Sequence, residues 1–393
     1  MNARRTLWVL GLAVTTHFTA FSMALTLAPL MGVDLGASPA VIGLLTASLS
    51  LLPLLLAVRT GTLIDRIGSR RGLLAASLLL AVAPLAAVAH PAILTLLATE
   101  VLLGLANLLA VVAGQAFTGS IGRAAQREAN MGWYTTFVSA GQVAGPLGAG
   151  LLADWHGYPL ALGATAAVAL AAFVATLALP RPPAAAGEGA EPGGPVAELG
   201  RARDLLAVSG VQLAVVFTFS ISFAQSVYLA FFPVILQAAG VAAGTIGALL
   251  AARALVTTLL RPFLPAMVRW IGDRRRTLVA MVAVMAVSFA AIGAVPALLA
   301  AGLASLVVGV AWGLAPPLSV VMVIDGADPA ELGFALGVRF TVNRLAQVLG
   351  PLAIGLVAEG LSLRAGFLAG SALIAASLGY LRTPAGKATR DRR

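Results

Sequence analysis

Few residues in this sequence have side chains fit for chemistry, and most of those stand inside long apolar runs. Glu100 is followed by Gly104 and Asn107 at i+4 and i+7, so the three share one face of a helix. A carboxyl on that face is a candidate proton carrier. His17, flanked by Thr15, Thr16 and Thr19, is a second one, because histidine titrates at physiological pH. A histidine simply hydrogen-bonded to a neighbouring helix would read the same way. Arg253, and Arg344 with Asn343 and Gln347 beside it, could hold an anionic group or pair with an acid. Ionisable groups at depth in an apolar run cost roughly 2.5–3.5 kcal/mol even on insertion scales, so they count as functional candidates by default. Arg339 lies near enough to the end of its run to snorkel. Ser222, Gln225 and Trp312, with Ser220 and Tyr228, are further polar and aromatic residues within apolar runs; for the aromatics, packing or interfacial anchoring is the plain reading.

Other chemistries find no residues. There are no cysteines, which excludes disulfides, thiol catalysis and cysteine-ligated metals. Three scattered histidines have no metal-ligand spacing. No GxxxxGK[ST] loop is present to bind nucleotide phosphates, so direct ATP drive is not expected. No nucleophile and base can be picked out for an intramembrane protease. The expectation is a protein without enzymatic activity, cofactor or metal.

The elements that carry these residues follow from composition. Of 393 residues, 60% are hydrophobic and 10% charged, with a mean hydropathy of +0.98; a soluble domain carries roughly 25% charged residues. Windows of membrane-spanning length predict twelve helical spans. The first six are Leu7–Leu30, Val41–Val58, Leu73–Val88, Ile93–Ala116, Trp133–Ala153 and Leu160–Leu179. The second six are Leu205–Leu236, Ile246–Leu264, Leu278–Val295, Leu298–Val323, Phe334–Ala358 and Ala365–Leu381. The runs are continuous rather than alternating, which argues against a β-barrel. The fold class is an all-α polytopic membrane protein.

The net charge of +10 would suit nucleic acid, but its placement points elsewhere. Arg4 and Arg5, Arg66 with Arg70 and Arg71, Arg123 and Arg127, Arg181 to Arg203, Arg269 to Arg276 and the tail from Lys387 fall in every second loop. The opposite loops hold Asp34, His90, Asp154, His156, Glu359 and one arginine, Arg364. This is the positive-inside pattern with both termini cytoplasmic, and the partner it implies is the lipid bilayer rather than nucleic acid. One lysine among 25 basic residues suggests a GC-rich bacterial genome, hence a bacterial inner membrane. The first apolar run is too long for an ordinary signal peptide and reads as a retained span.

Residues 181–204, rich in Pro, Gly, Ala and Glu, form a linker that cannot bury enough apolar surface to order itself. It separates an N-terminal bundle, 1–180, from a C-terminal bundle, 205–393. The two are related. A shift of 204 aligns 36–76 with 240–280 without a gap, with 14 of 41 positions identical, among them Gly36/Gly240, Gly68/Gly272, Arg70/Arg274 and Arg71/Arg275. A shift of 205 aligns GQVAGPLGAG (141–150) with AQVLGPLAIG (346–355). Duplication of a six-helix unit is the simplest account.

Two motifs then carry a resemblance. GTLIDRIGSRR (61–71) resembles the loop 2–3 signature of the major facilitator superfamily, with Gly61, Asp65, Arg66, Gly68, Arg70 and Arg71 in register and Ser69 where a basic residue is common. GQVAGPLGAG resembles that family's span 5 signature associated with antiporters of the drug-efflux kind, through Gly141, Gly145, Pro146 and Gly150. In span 4 the family often has an arginine four residues before a glycine; here Glu100 precedes Gly104, so no role for that arginine carries over. The resemblance implies two pseudo-symmetric six-helix bundles, parallel repeats, that rock to expose a central cavity lined by spans 1, 4, 7 and 10, where Ser222, Gln225 and Trp312, with Ser220 and Tyr228, would meet a solute of mixed polarity. It also implies a monomer, a bend at Pro146, and a switch role for Asp65 paired with an arginine or helix N-terminus opposite. Ser69→Arg is expected to be tolerated.

The resulting expectation is a secondary transporter that exports a small organic molecule or drug in exchange for protons. An uptake symporter or facilitator for an organic anion or sugar is the alternative, and a non-transporting membrane sensor a remote one.

Overall fold

The computed structural model describes residues 3–122, 126–181, 209–295, 298–326 and 332–380. The expected linker, almost all of it, the basic tail and Arg123 lie outside the described residues. Within them the chain is helical: α1 (Ala3–Asp34), α2 (Pro39–Ile67), α3 (Ser69–Ala89), α4 (Ile93–Gly119) and α5 (Arg127–Leu177). After the linker come α6 (Ser209–Ala238), α7 (Ala243–Leu260), a 3-10 turn (Arg261–Phe263), α8 (Leu264–Ile271), α9 (Arg274–Ala294), α10 (Leu298–Gly326), α11 (Leu332–Gly360) and α12 (Leu363–Gly379).

Ten helical stretches among the described residues are long and apolar enough to cross a membrane. One of them, α5, has 51 residues, about 75 Å at 1.5 Å per residue, more than twice a hydrocarbon core. It covers expected spans 5 and 6 and bends at Gly157, whose φ of +80° is open to glycine at little cost. α12 is a shorter apolar helix at the place of span 12. In span 8 the helix is interrupted where Pro262 removes a backbone donor, so α7 and α8 flank a 3-10 turn.

Helix ends repeat at the offsets read from the sequence. At 204, α1 ends at Asp34 and α6 at Ala238; α2 starts at Pro39 and α7 at Ala243; α2 ends at Ile67 and α8 at Ile271. At 205, α4 starts at Ile93 and α10 at Leu298. The turns match too: Gly36 and Gly240 both have φ of +78°, and Gly68 and Gly272 have +87° and +119°. A side chain would strain all four.

One expectation changes. GTLIDRIGSRR is not a loop of eleven residues: 61–67 continue α2, Gly68 alone makes the turn, and Ser69 opens α3. The physical reason is the apolar spacing inside the polar stretch. Ile64 is 2% exposed and packs on Gly72, so this last turn of α2 has its own buried face.

The described residues group into two compact units. One joins residues up to 181 with 229–254; the other joins 209–228 with 255–380. In the first, α1 lies along α5, α3 between α4 and α5, and α2 on α4, around Leu10, Val14, Phe21, Leu80, Leu103 and Phe137. The end of α6 and the start of α7 group with this unit. Their glycines allow it: a Cβ on Gly150 would overlap the Ala243 carbonyl, and one on Gly247 the Pro146 carbonyl. Such close backbone approach at small residues is a usual packing device in membranes. In the second unit α9 packs on α10 and α12, and α11 on α12.

Candidate functional site

In the first unit α4 lies so close to α2 that a Cβ on Gly104 would overlap the Leu49 carbonyl. One turn away, Glu100 is 2% exposed and its Oε1 has no hydrogen-bond partner. Its neighbour Thr99 is committed, donating to the Ala83 carbonyl at 2.9 Å. Asn107, on the same face, is partly buried with an unpartnered Oδ1. The other acids of the unit, Asp34, Asp65, Glu128 and Asp154, stand near helix ends or bends. Glu100 is therefore the one acid at depth, and it makes no ion pair to any described residue.

The duplicated copy shows what a satisfied version of this position looks like. At the 205 offset Glu100 corresponds to Ser305, and at 204 Ala24 corresponds to Tyr228. Ser305 and Tyr228 share a buried hydrogen bond of 2.5 Å, with Trp312 edge-on to Tyr228 at 5.5 Å. The first copy has an alanine and a carboxyl there, and no bond.

His17 faces α3, its Nδ1 at 3.5 Å from the Ser77 hydroxyl and its Nε2 without a partner. It packs edge-on against Phe18 and is buried. This placement matches the plainer reading of a histidine bonded to a neighbouring helix.

The glycines of α5 point in two directions. Cβ atoms on Gly141 and Gly145 would come within 2.6 Å of α1 carbonyls, those of Thr15 and Thr19, whereas Pro146 and Gly150 meet the start of α7. At the same end the Asp154 carboxylate accepts from the Gly244 N–H at 2.8 Å, capping α7. Gln237 donates to the Leu30 carbonyl at 3.3 Å and to the Tyr158 hydroxyl at 3.1 Å. Sequence reasoning took Asp154 only as a loop charge. The one signal available was its position four residues after a glycine-rich motif. Arg253, just past the middle of α7, is partly buried.

In the second unit Asn343 donates to Ser222 Oγ at 2.5 Å, tying α11 to α6. Gln225 is partly buried on α6, and Trp312 is buried in packing with Tyr228. Arg339 does not snorkel: its Nε and Nη2 donate to Ser319 Oγ at 3.2 and 2.8 Å, and Nη2 to the Pro316 carbonyl at 3.2 Å. Arg344 donates from Nη1 to Gln347 at 3.0 Å and lies over the Phe340 ring, 4.8 Å from its centre.

Around the Gly68 turn, Asp65, Arg66 and Arg71 are exposed, and Gly61 has open space around it. Arg70 donates to the Leu177 carbonyl at 2.7 Å, capping the end of α5. The corresponding turn in the copy is held differently. Asp273 caps α9 through the Arg276 N–H at 2.7 Å, and Arg274 pairs with Asp325. Ser69 is buried, so the expected tolerance of an arginine there gives way: the larger side chain would have to leave the site. No group of three or more potential metal ligands occurs among the described residues.

A chain of apolar helices, built as two copies of one set and carrying polar groups at depth, has the make-up of a membrane solute carrier. The family model for the Major Facilitator Superfamily matches residues 10–351 and again 214–393. The chain belongs to that superfamily and is a membrane transporter of its type. Among curated proteins none matches the sequence. Solved structures of similar fold include the nucleoside transporter NupG, at TM-score 0.76 and 16% identity over 97% of this chain and 98% of that one. A POT family transporter in complex with a thioalcohol-conjugated peptide reaches 0.75 at 12% identity, covering 99% and 97%. A bacterial homologue of the human lysosomal transporter Spinster, inward-facing and unoccupied, reaches 0.71 at 16% identity, covering 97% and 95%.

Proposed function

We propose that this protein exports a small organic solute in exchange for protons, by alternating access of two six-helix bundles, 1–180 and 205–393. The observation that carries the coupling claim is Glu100: a carboxyl at depth with no partner, where the duplicated copy has a closed hydrogen bond. A buried carboxylate without a counter-charge is costly, and taking up a proton removes the charge. That gives the site two states of different energy, which coupling requires. Asn107, two turns on along the same face, supplies an unpartnered amide oxygen beside the same path; His17, which faces Ser77 of α3, is the lesser candidate.

The basic loops support a cytoplasmic location for both termini and the Gly68 turn. The Gly36, Gly157 and Gly240 ends then face outward, in the inner membrane of a bacterium. At that end Pro146 and Gly150 of α5, with Asp154, hold the start of α7, the contact that would have to part for a solute to leave. Asp65 is the switch residue of the cytoplasmic side, exposed and ready for a partner in another state; Gly61, Arg66, Gly68, Arg70 and Arg71 shape its turn. The test is transport into everted vesicles. Proton release that accompanies solute entry is expected, and transport without it removes the antiport claim.

The same fold also serves a second reading, entry of an organic anion or sugar, which Arg253 and Arg344 favour. Uptake into whole cells that is lost in Arg253→Ala and kept in Arg261→Ala would favour that direction.

A further inference from the structure

We infer that Arg344 is the binding residue for an anionic group on the transported solute, and that a carboxylate is the chemistry it takes. The inference rests on the protein being a transporter, and is independent of direction and of proton coupling.

The first observation is a missing counter-charge. Residues 332–358 contain Arg339 and Arg344 and no acid, and 209–272 and 274–324, which face them in sequence as α6 to α10, contain none either. The deep part of the second half is cationic and cannot neutralise itself. Arginines at such depth normally pair with acids or carbonyls, or line a pathway.

The second observation is how differently the two arginines are used. Arg339 spends its Nε–Nη2 edge on Ser319 and the Pro316 carbonyl, which is a structural arrangement. Arg344 spends only Nη1, on Gln347, and one ring face, on Phe340. Its Nε is buried without a partner, and its Nη2 bonds to no described residue. What remains is one intact edge with two roughly parallel N–H donors, the geometry that matches the two oxygens of a carboxylate.

The third observation is direction. The apolar stripe Leu345, Leu349 and Leu356 is exposed, as a lipid-facing stripe should be. Arg344 lies roughly a third of a turn from it, on the shoulder shared with Phe340 and Gln347. Gln347 and Phe340 hold the guanidinium in one orientation before anything binds, which limits the entropy lost on binding. Phe340 also sets an aromatic surface beside the open edge, so an aromatic carboxylate fits better than a compact inorganic anion. Nothing comparable exists in the first copy, where the position equivalent to Arg344 is Ser139, a buried serine.

The test is thermal unfolding of the purified protein in detergent with sodium benzoate, its neutral isostere benzamide, inorganic phosphate, and added phosphatidylglycerol. Benzoate is expected to stabilise the wild type saturably while benzamide does not. Arg344→Gln should weaken the apparent benzoate affinity roughly 10- to 100-fold. Arg344→Lys, which keeps the charge but loses the fork, should fall between, and it separates lost binding from lost folding. The inference is overturned if benzoate leaves the wild type unmoved, if Arg344→Gln responds as the wild type does, or if only phosphate or phosphatidylglycerol stabilises. Saturable, Arg344-dependent benzoate binding without proton release in vesicles would sink the antiport reading and leave this one standing.

Discussion

Glu100 and Ser305 occupy equivalent places in two copies of one helix, and they differ in chemistry and in bonding. Ser305 is closed by Tyr228 at 2.5 Å; Glu100 is left open because Ala24 has nothing to offer it. Tyr228→Phe should therefore cost stability, about 0.5–1 kcal/mol for a buried inter-helix hydrogen bond in a membrane protein, seen as a lower unfolding midpoint in detergent. Asp65 also lacks a counterpart, since Arg269 stands in its place in the copy. Asp65→Asn should lower the transport rate at unchanged expression; equal rates would reduce the turn to a topological device. At Ser69 the outcome reverses the sequence expectation. It is buried at the start of α3, so Ser69→Arg should reduce the yield of folded protein, measured by fluorescence-detected gel filtration.

At the scale of elements, close helix approaches set the geometry, and at each stands a glycine whose added methyl group would push the helices apart. Gly104→Ala should separate α4 from α2, and Gly150→Ala should separate α5 from α7. Each should cost about 1–3 kcal/mol, the usual range for forcing extra volume into a packed site. Gly148→Ala is the control, because nothing lies within 4 Å of its added Cβ. Asp154→Ala should cost about 1 kcal/mol through loss of the charge at the α7 N-terminus. Much of this level was legible in the sequence. Runs of apolar residues give spans because each is a local pattern, and Gly36, Gly68, Gly240 and Gly272 marked the turns because only glycine adopts their φ cheaply. The partners of Gly104, Asp154 and Arg339 were not legible. Each lies 20 to 90 residues away along the chain, and no local pattern encodes which helix a face will meet. The helical state of 61–67 was hidden for a different reason: its charges read as a loop, while Ile64 and Gly72 quietly form a packed pair.

For the whole molecule, duplication followed by divergence would account for the opposite charges at depth in the two halves of the sequence: an acid in the first, arginines in the second. The shared parts, turns and helix ends, keep the scaffold and its orientation. The unshared parts, Glu100, Asp65 and Arg344, are where coupling, switching and solute recognition are proposed to reside. The central claim is that Glu100 carries the coupled proton. Its most direct test is paired measurement in proteoliposomes, for a solute that stabilises the purified protein, of solute-driven proton flux and of solute exchange at equal pH. In Glu100→Gln the account predicts that proton flux disappears while exchange continues, because the solute site lies elsewhere. Proton flux in Glu100→Gln equal to the wild type would contradict it.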